Sequence, residues 1–332
     1  MLYISDNNTN PYWNLAAEEY LFKNFDKKIF RLWRNDNAIV VGRYQNTIAE
    51  IDTDYVEKNN VRVVRRLTGG GAVFHDLGNL NFTFIEDKIK GEDSSAMFKR
   101  FTSPIIEALN SLGVKAYLEG RNDLLIEGKK FSGNAISVYK NRILQHGTLL
   151  FSSSMPNLAN ALRNRPEKFQ GKAVQSNRSR VTNISSWLKK EMDIDSFKEF
   201  LGNFICNKYS DITPYEYSKE DLANIDKLYK EKYSTDKWNY GESPKYSFKK
   251  IVKLSGGVVE IYISVDHGYI KDIQIFGDYF FTLPTENFIA LFKDINNPIK
   301  YDKETISQVL DKIDIPSFFN NISKEELLEI FF

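Results

Sequence analysis

Arg65-Arg66-Leu67-Thr68-Gly69-Gly70-Gly71-Ala72-Val73-Phe74-His75-Asp76-Leu77-Gly78-Asn79-Leu80-Asn81 is the stretch on which the reading of this chain turns. Three consecutive glycines remove side-chain bulk, let neighbouring backbone N–H groups converge, and allow a ligand to lie against the main chain. The arginine pair before them offers charge-assisted donors suited to phosphate or carboxylate. A glycine triplet alone favours the reading of a flexible turn between strands. The flanking arginines and the polar-studded run that follows favour a ligand loop. Neither the P-loop spacing nor the G-x-G-x-x-G spacing is present, so this is not one of the common nucleotide fingerprints.

Outward from the loop, Gly71–Phe74 and Leu80–Ile85 read as two strands around a His-Asp-Leu-Gly turn. Upstream, Asn10–Phe25 predicts a helix with Asn10 as N-cap and Pro11 in the first turn; Glu18 and Glu19 are expected to favour its N-terminal dipole. Short β-rich runs follow at Ile29–Trp33, Ala38–Gly42 and Val61–Arg66. Downstream, Met97–Leu112 has helical periodicity and stops at Gly113. Strands are expected at Lys115–Leu118, Leu124–Glu127, Lys130–Tyr139 and Ile143–Phe151, and a mostly helical stretch from Pro156 to about Glu231. The turn-rich Lys237–Pro244 marks a boundary, after which three strands (Tyr246–Leu254, Val258–Val265, Tyr269–Phe276) precede helices near Thr285–Phe292, Lys303–Lys312 and from Lys324. The expected architecture is α+β: a large domain over residues 1–243 with mixed sheets flanked by helices, and a small α+β domain over residues 244–332.

Composition narrows the function classes. The 332 residues carry 45 Lys+Arg against 44 Asp+Glu, a net charge of +1, so no bulk field draws the protein to nucleic acid or an anionic bilayer. With 42% hydrophobic residues, a large core is easily supplied. One cysteine, Cys206, excludes an internal disulfide and a thiolate zinc site. No apolar run is long enough to span a membrane, and the N-terminus lacks a signal-peptide pattern, so a cytoplasmic protein is expected.

Three further segments carry chemistry. Asp123, in Gly-Arg-Asn-Asp-Leu, opens a strand where a carboxylate can hold Mg²⁺ beside phosphates, although an ordinary turn aspartate reads the same way. In Gly128-Lys129-Lys130-Phe131-Ser132-Gly133-Asn134-Ala135, strand alternation sends Lys130, Ser132 and Asn134 to one face and Phe131 to the other. A lysine and two hydrogen-bonding residues on one face of a core strand need a polar partner. His146 sits mid-strand in an apolar run and reads first as a hydrogen-bonded structural histidine; His75 is better placed beside the glycines, and His267 reads as a solvated turn residue.

Taken together, these segments resemble the lipoate–protein ligase A family. The run from Arg65 to Asn81, Gly-Arg-Asn-Asp-Leu at 120–124, Lys-Phe-Ser-Gly-Asn-Ala at 130–135 and His-Gly-Thr-Leu-Leu at 146–150 come in the family's order, as do Asn10-Pro11 with Asn-Leu-Ala-Ala-Glu-Glu and Trp238-Asn239-Tyr240-Gly241. The resemblance implies that ATP and lipoate form lipoyl-adenylate, and that the lipoyl group passes to one lysine of an acceptor lipoyl domain. It implies that Arg66 and the backbone of Gly71, Ala72, Val73 and Phe74 hold the nucleotide, that Lys130 is catalytic and contacts both substrates, and that Asp123 holds Mg²⁺. Thr68, Gly69, Gly70 and His75, with Ser132 and Asn134, complete the expected binding set. Expected partners are lipoyl domains of 2-oxoacid dehydrogenase E2 subunits or the glycine cleavage H protein, with no nucleic acid or membrane, and a monomeric state.

Two alternatives remain at this stage. An octanoyltransferase of the same fold passes its acyl group through a cysteine thioester in most bacterial subgroups, but Cys206 lies in a predicted helix and in none of the motifs. A non-catalytic adenylate- or lipoate-binding regulator is the other, against which Arg66, Asp123 and Lys130 speak. The basic stretch Lys168–Arg180 is equally a solvated loop or a functional segment that closes over the adenylate or meets an acidic acceptor domain.

Overall fold

The structure, a computed structural model, describes residues 1–45, 47–51, 53–154, 181–209, 211–240, 248–266, 269–293 and 298–332. The basic stretch 168–180, residues 241–244 of the expected linker and His267 lie outside the described residues.

The chain opens with β1 (Leu2–Ser5) and α1 (Pro11–Asn24). As the sequence predicts, the Asn10 side chain accepts from the Tyr12 and Trp13 backbone N–H groups and Pro11 fills the first turn, where a missing donor costs nothing. The expectation for Glu18 and Glu19 is corrected: the first turn of α1 holds no acidic residue, and both carboxylates are buried in specific pairs. Glu19 binds Lys23, Lys232 and the Tyr233 hydroxyl, each at 2.6 Å, tying α1 to a later helical segment.

Next come β2 (Ile29–Trp33), β3 (Ala38–Val41), two short helices α2 (Thr47–Glu50) and α3 (Thr53–Lys58), and β4 (Arg62–Arg65). Strand β5 (Val73–His75) starts two residues later than expected, so all three glycines stay in the loop; β6 (Asn79–Asp87) follows the predicted turn. Helix α4 (Ser94–Ser111) buries the predicted Phe98, Phe101, Ile105 and Leu109 stripe and is capped by Asp93. Gly113 just beyond it takes φ +81°, the left-handed geometry that suits glycine. Strands β7 (Ala116–Glu119), β8 (Asp123–Ile126), β9 (Lys129–Tyr139) and β10 (Arg142–Leu150) complete the motif-bearing region.

An eight-stranded mixed sheet runs in the order β11-β1-β2-β6-β10-β9-β8-β7, where β11 (Thr213–Pro214) is an edge. A second sheet, β4-β3-β5, pairs parallel on one side and antiparallel on the other. One face of the large sheet packs on α4 and on α5 (Ile194–Lys208), burying Phe30, Phe82, Phe84, Phe101, Phe131, Phe151 and Phe197. The region expected to be mostly helical up to Glu231 contains, among the described residues, a 3₁₀ turn at Ile184–Trp187, then α5, α6 (Lys219–Leu228) and a π-helical segment Tyr229–Tyr233.

After the short α7 (Asp236–Asn239), β12 (Phe248–Leu254), β13 (Gly257–Asp266) and β14 (Tyr269–Gly277) form an antiparallel three-stranded sheet. Helices α8 (Thr285–Leu291) and α9 (Lys303–Leu310) and two short later ones cover it, with a core of Ile261, Ile273, Phe288 and Phe319. Tyr44, from the loop after β3, enters this second core: it stacks on Tyr279, accepts from the Thr285 N–H at 2.8 Å, and donates to Glu286. These contacts lay the turn after β14 across the glycine loop.

Candidate active site

Where the two unequal sheets meet, a cleft of about 270 Å³ opens. Leu15, Trp33, Val40 and Ala135 give it an apolar wall, while Arg66, Gly70, Gly71 and Lys130 line its polar end. Asp278 and Phe280, contributed from beyond β14, line it as well. A cleft that combines an apolar wall with cationic side chains and bare backbone suits a molecule with a greasy tail and an anionic head.

The lysine reaches the cleft by a different route from the one strand alternation predicts. Leu124 pairs with Ser132 and Leu125 with Lys130, so Phe131 is an extra residue, a bulge in β9. A bulge breaks the two-residue period. Ser132 and Asn134 still share a face, where the Asn134 Nδ2 donates to Ser132 Oγ at 3.2 Å. Lys130 instead lies on the side of Gly133, its Nζ 3.2 Å from where a Cβ on that glycine would stand. Its Nζ forms an ion pair with Asp123 at 2.8 Å, with both side chains about 40% exposed. The expected face-sharing of Lys130 with Ser132 and Asn134 is therefore corrected, and the bulge is the reason.

The arginine pair splits in two. Arg65 turns away from the cleft and donates to backbone carbonyls of Gly42, Arg43, Gln45, Trp238 and Asn239, a structural role rather than the anion-binding one its position suggests. Arg66 is buried under the loop: Nη2 donates to the carbonyls of Gly69 (2.7 Å) and Gly71 (2.8 Å), and Nη1 to Val40 (3.0 Å). Gly70 takes φ +88°, and Gly42 lies so close beneath it that a Cβ there would stand 2.0 Å from the Gly70 carbonyl oxygen.

His75 is buried, with Nδ1 3.1 Å from Asn35 Nδ2. Because Asn35 Oδ1 accepts from Asn14, its amide nitrogen faces the ring and the imidazole proton sits on Nε2. That Nε2, on a residue lining the cleft, finds no partner among the described residues. Burial, reinforced by Arg66 and His146, pushes the imidazolium down to about 3, so His75 is neutral at physiological pH. As pH falls from 6.5 toward 3, the unfolded chain takes up a proton that the folded one refuses, and stability drops by up to about 1.4 kcal/mol per pH unit. Urea unfolding between about pH 7 and 5 should show this slope flattened in His75→Gln; identical slopes would contradict it.

Of the residues singled out in the sequence, Arg66, Gly70, Gly71, Ala72, Val73, His75, Lys130 and Asn134 line the cleft. Asp123, outside the lining, is partly exposed and pairs with Lys130, and the rest sit behind the cleft. Thr68 is buried against Arg66 and His146, and Ser132 beneath Asn134. Gly69 abuts the Tyr279 carbonyl, and Phe74 packs with Ile39, Val41, Ile51 and Val63. Among the described residues there is no group of three or more His, Cys, Asp or Glu able to hold a metal on its own. Cys206 lies on α5 and does not line the cleft; burial raises its thiol. His146, bonded as expected, also faces the cleft.

Sequence reasoning missed Trp33, Gly42, Asn81, Asp278 and Phe280, and misread Glu18. Glu18 had a signal: it lies three residues from both Leu15 and Leu21 on the buried stripe of α1, where a charge needs a partner. Phe280 had none, because nothing local to Tyr279-Phe280-Phe281 says what it covers.

A mixed α+β fold with a partly apolar cleft lined by an arginine-stapled glycine loop and a lysine defines a protein of the acid-activating cofactor-ligase class. Models of the lipoyl protein ligase A/B catalytic domain and of the bacterial lipoate protein ligase C-terminus match residues 10–205 and 243–331. The chain belongs to the lipoate–protein ligase family. It is 40% identical to lipoate-protein ligase LplJ of Bacillus subtilis over 100% of both chains. Its fold matches that of P. falciparum LipL1 in complex with lipoate, with TM-score 0.76, 28% identity, and coverage of 99% of this chain and 97% of that one. It also matches a lipoate-protein ligase A bound with ATP, with TM-score 0.62, 29% identity, and coverage of 72% and 98%.

Proposed function

We propose that this protein is an ATP-dependent lipoate–protein ligase in which the cleft holds lipoate tail-first and the glycine loop holds ATP. The observation that supports the reading is that Lys130 lines one cleft together with an apolar wall and the backbone of Gly70 and Gly71. A carboxylate attacking an α-phosphate faces like-charge repulsion; a fixed cation between the two relieves it and holds them in line. The products of this step are lipoyl-adenylate and pyrophosphate. No protein nucleophile is needed, since AMP is already a good leaving group from the mixed anhydride. The deprotonated ε-amine of an acceptor lysine then attacks the carbonyl and expels AMP.

Asp123 suits Mg²⁺ only in the way that ion prefers, one carboxylate with phosphates supplying the rest, and its present partner is Lys130. Bound there, Mg²⁺ would neutralise charge on the triphosphate. Lys130, freed from Asp123, would then face the carboxylate. The family supports a lipoyl domain as acceptor; E2 subunits of 2-oxoacid dehydrogenases and the glycine cleavage H protein are the candidates. We further read the chain as a monomer working in the cytoplasm, with its catalytic part ending near residue 243 and an accessory part over 244–332.

A thioester-transfer reading has no support from the position of Cys206. The deciding measurement is the mass of an apo lipoyl domain after incubation with the protein, ATP, Mg²⁺ and lipoate. Addition of one lipoyl group that requires ATP is expected. Addition without ATP would point to acyl transfer, and pyrophosphate exchange without acceptor modification to a different acceptor.

A further inference from the structure

We infer that Glu18, His146 and Thr68 form a positioning chain that sets Arg66 and, through it, the shape of the glycine loop. The chain starts at Trp33, which lines the cleft. Trp33 Nε1 donates to Thr83 Oγ1 (2.9 Å), which donates to Glu18 Oε1 (2.7 Å). The Glu18 carboxylate, 1% exposed, receives His146 Nδ1 at 2.9 and 3.0 Å. His146 Nε2 lies 2.7 Å from Thr68 Oγ1, and Thr68 Oγ1 accepts from Arg66 Nε at 2.9 Å.

Two directions follow from the ends of the chain: Arg66 Nε can only donate, so Thr68 Oγ1 accepts from it, and the ionised Glu18 carboxylate can only accept, so a proton on His146 Nδ1 points at Glu18. Burial alone would push the Glu18 carboxyl up; the attraction of His146 and the hydrogen bonds from His146 and Thr83 outweigh it and keep it ionised.

Arg66 itself has five N–H donors, and four are used within the protein: Nε on Thr68, one on Val40, two on the carbonyls of Gly69 and Gly71. Held this way it has no free two-pronged edge for a phosphate. Its function in this arrangement is to bind two loop carbonyls from below. The floor of the acyl cleft and the nucleotide loop are thus one hydrogen-bonded unit, although Thr68 does not itself line the cleft. Thr68 and Glu18 are positioning residues, not catalytic ones.

The kinetic part of the test rests on the ligase reading; the exchange part does not. Thr68→Val keeps the side chain's shape and removes the hydroxyl. It should raise the KM for ATP in pyrophosphate exchange about tenfold, the equivalent of one lost buried hydrogen bond, while the KM for lipoate stays within about twofold. Thr68→Ser should restore the ATP value to within about twofold of the parent. In the ligand-free protein, amide hydrogens of residues 69–72 should exchange about tenfold faster in Thr68→Val than in the parent or Thr68→Ser. If Thr68→Val fails to fold, Thr68→Ala, which cannot clash, takes its place. Equal rises in both KM values, no rescue by serine, or unchanged exchange at 69–72 would overturn the positioning chain. A parent protein with no pyrophosphate exchange would defeat the ligase reading alone, and the hydrogen-exchange result would still decide this one.

Discussion

Lys130→Ala should lower the rate of lipoate-dependent pyrophosphate exchange by about 10²–10³-fold, the range typical for deleting one charge-stabilising donor at a reacting centre. The side chain is about 40% exposed and its partner Asp123 is equally so, which makes it a poor contributor to folding. Thermal unfolding should therefore barely change, so any loss is a loss of chemistry. Lys130→Arg tests geometry as distinct from charge. Lysine presents a compact point charge on a flexible stem, 2.8 Å from Asp123, whereas arginine presents a wider planar fork that does not reproduce that point. Arginine should thus recover little of the rate. Exchange within tenfold of the parent for Lys130→Ala would remove the residue from the reaction.

Gly42→Ala should disable ATP use through the backbone alone. The added methyl would stand 2.0 Å from the Gly70 oxygen and 3.3 Å from Arg66 Nη2, so the loop or the arginine must move. Gly70 sits at φ +88° with its carbonyl committed to that spot, and Gly42 is pinned from both sides, its N–H on Gln45 Oε1 (2.8 Å) and its carbonyl on Arg65 (2.9 Å). Overpacking of this kind costs about 1–3 kcal/mol, which leaves a protein of this size folded. The expected result is a roughly 10²-fold or greater loss of pyrophosphate exchange, by analogy with misplacing a substrate-holding group by an ångström. Calorimetric binding of lipoate should persist, because Gly42 itself does not line the cleft. Normal exchange would show that the loop tolerates displacement.

Much of this was readable from residue order. The cap at Asn10, the buried stripe of α4, and the hairpins around β9 and β10 depend on neighbours within a turn or two, and they appear where local rules place them. The glycine run was visible for the same reason. What was hidden depends on distance along the chain. Gly42 looks like an ordinary strand end until Gly70 is laid on it, and Phe131 looks like a regular strand residue until β8 is counted against β9. Glu18 and Glu19 were misassigned because an acidic residue in a helix has two uses, and only the fold shows His146 and Lys232 waiting for them.

The turn after β14 also bears on how the molecule is made. Gly70 donates its N–H to Tyr279, and Phe280 closes over Arg121 at 4.1 Å and onto Phe98, so the lid of the cleft is encoded some two hundred residues after the loop it covers. Ribosomes deliver those parts at opposite ends of translation, and domains mature as they emerge. The cleft wall contributed by Phe280 can therefore be completed only after the chain has been made past that residue and has packed back against the glycine loop.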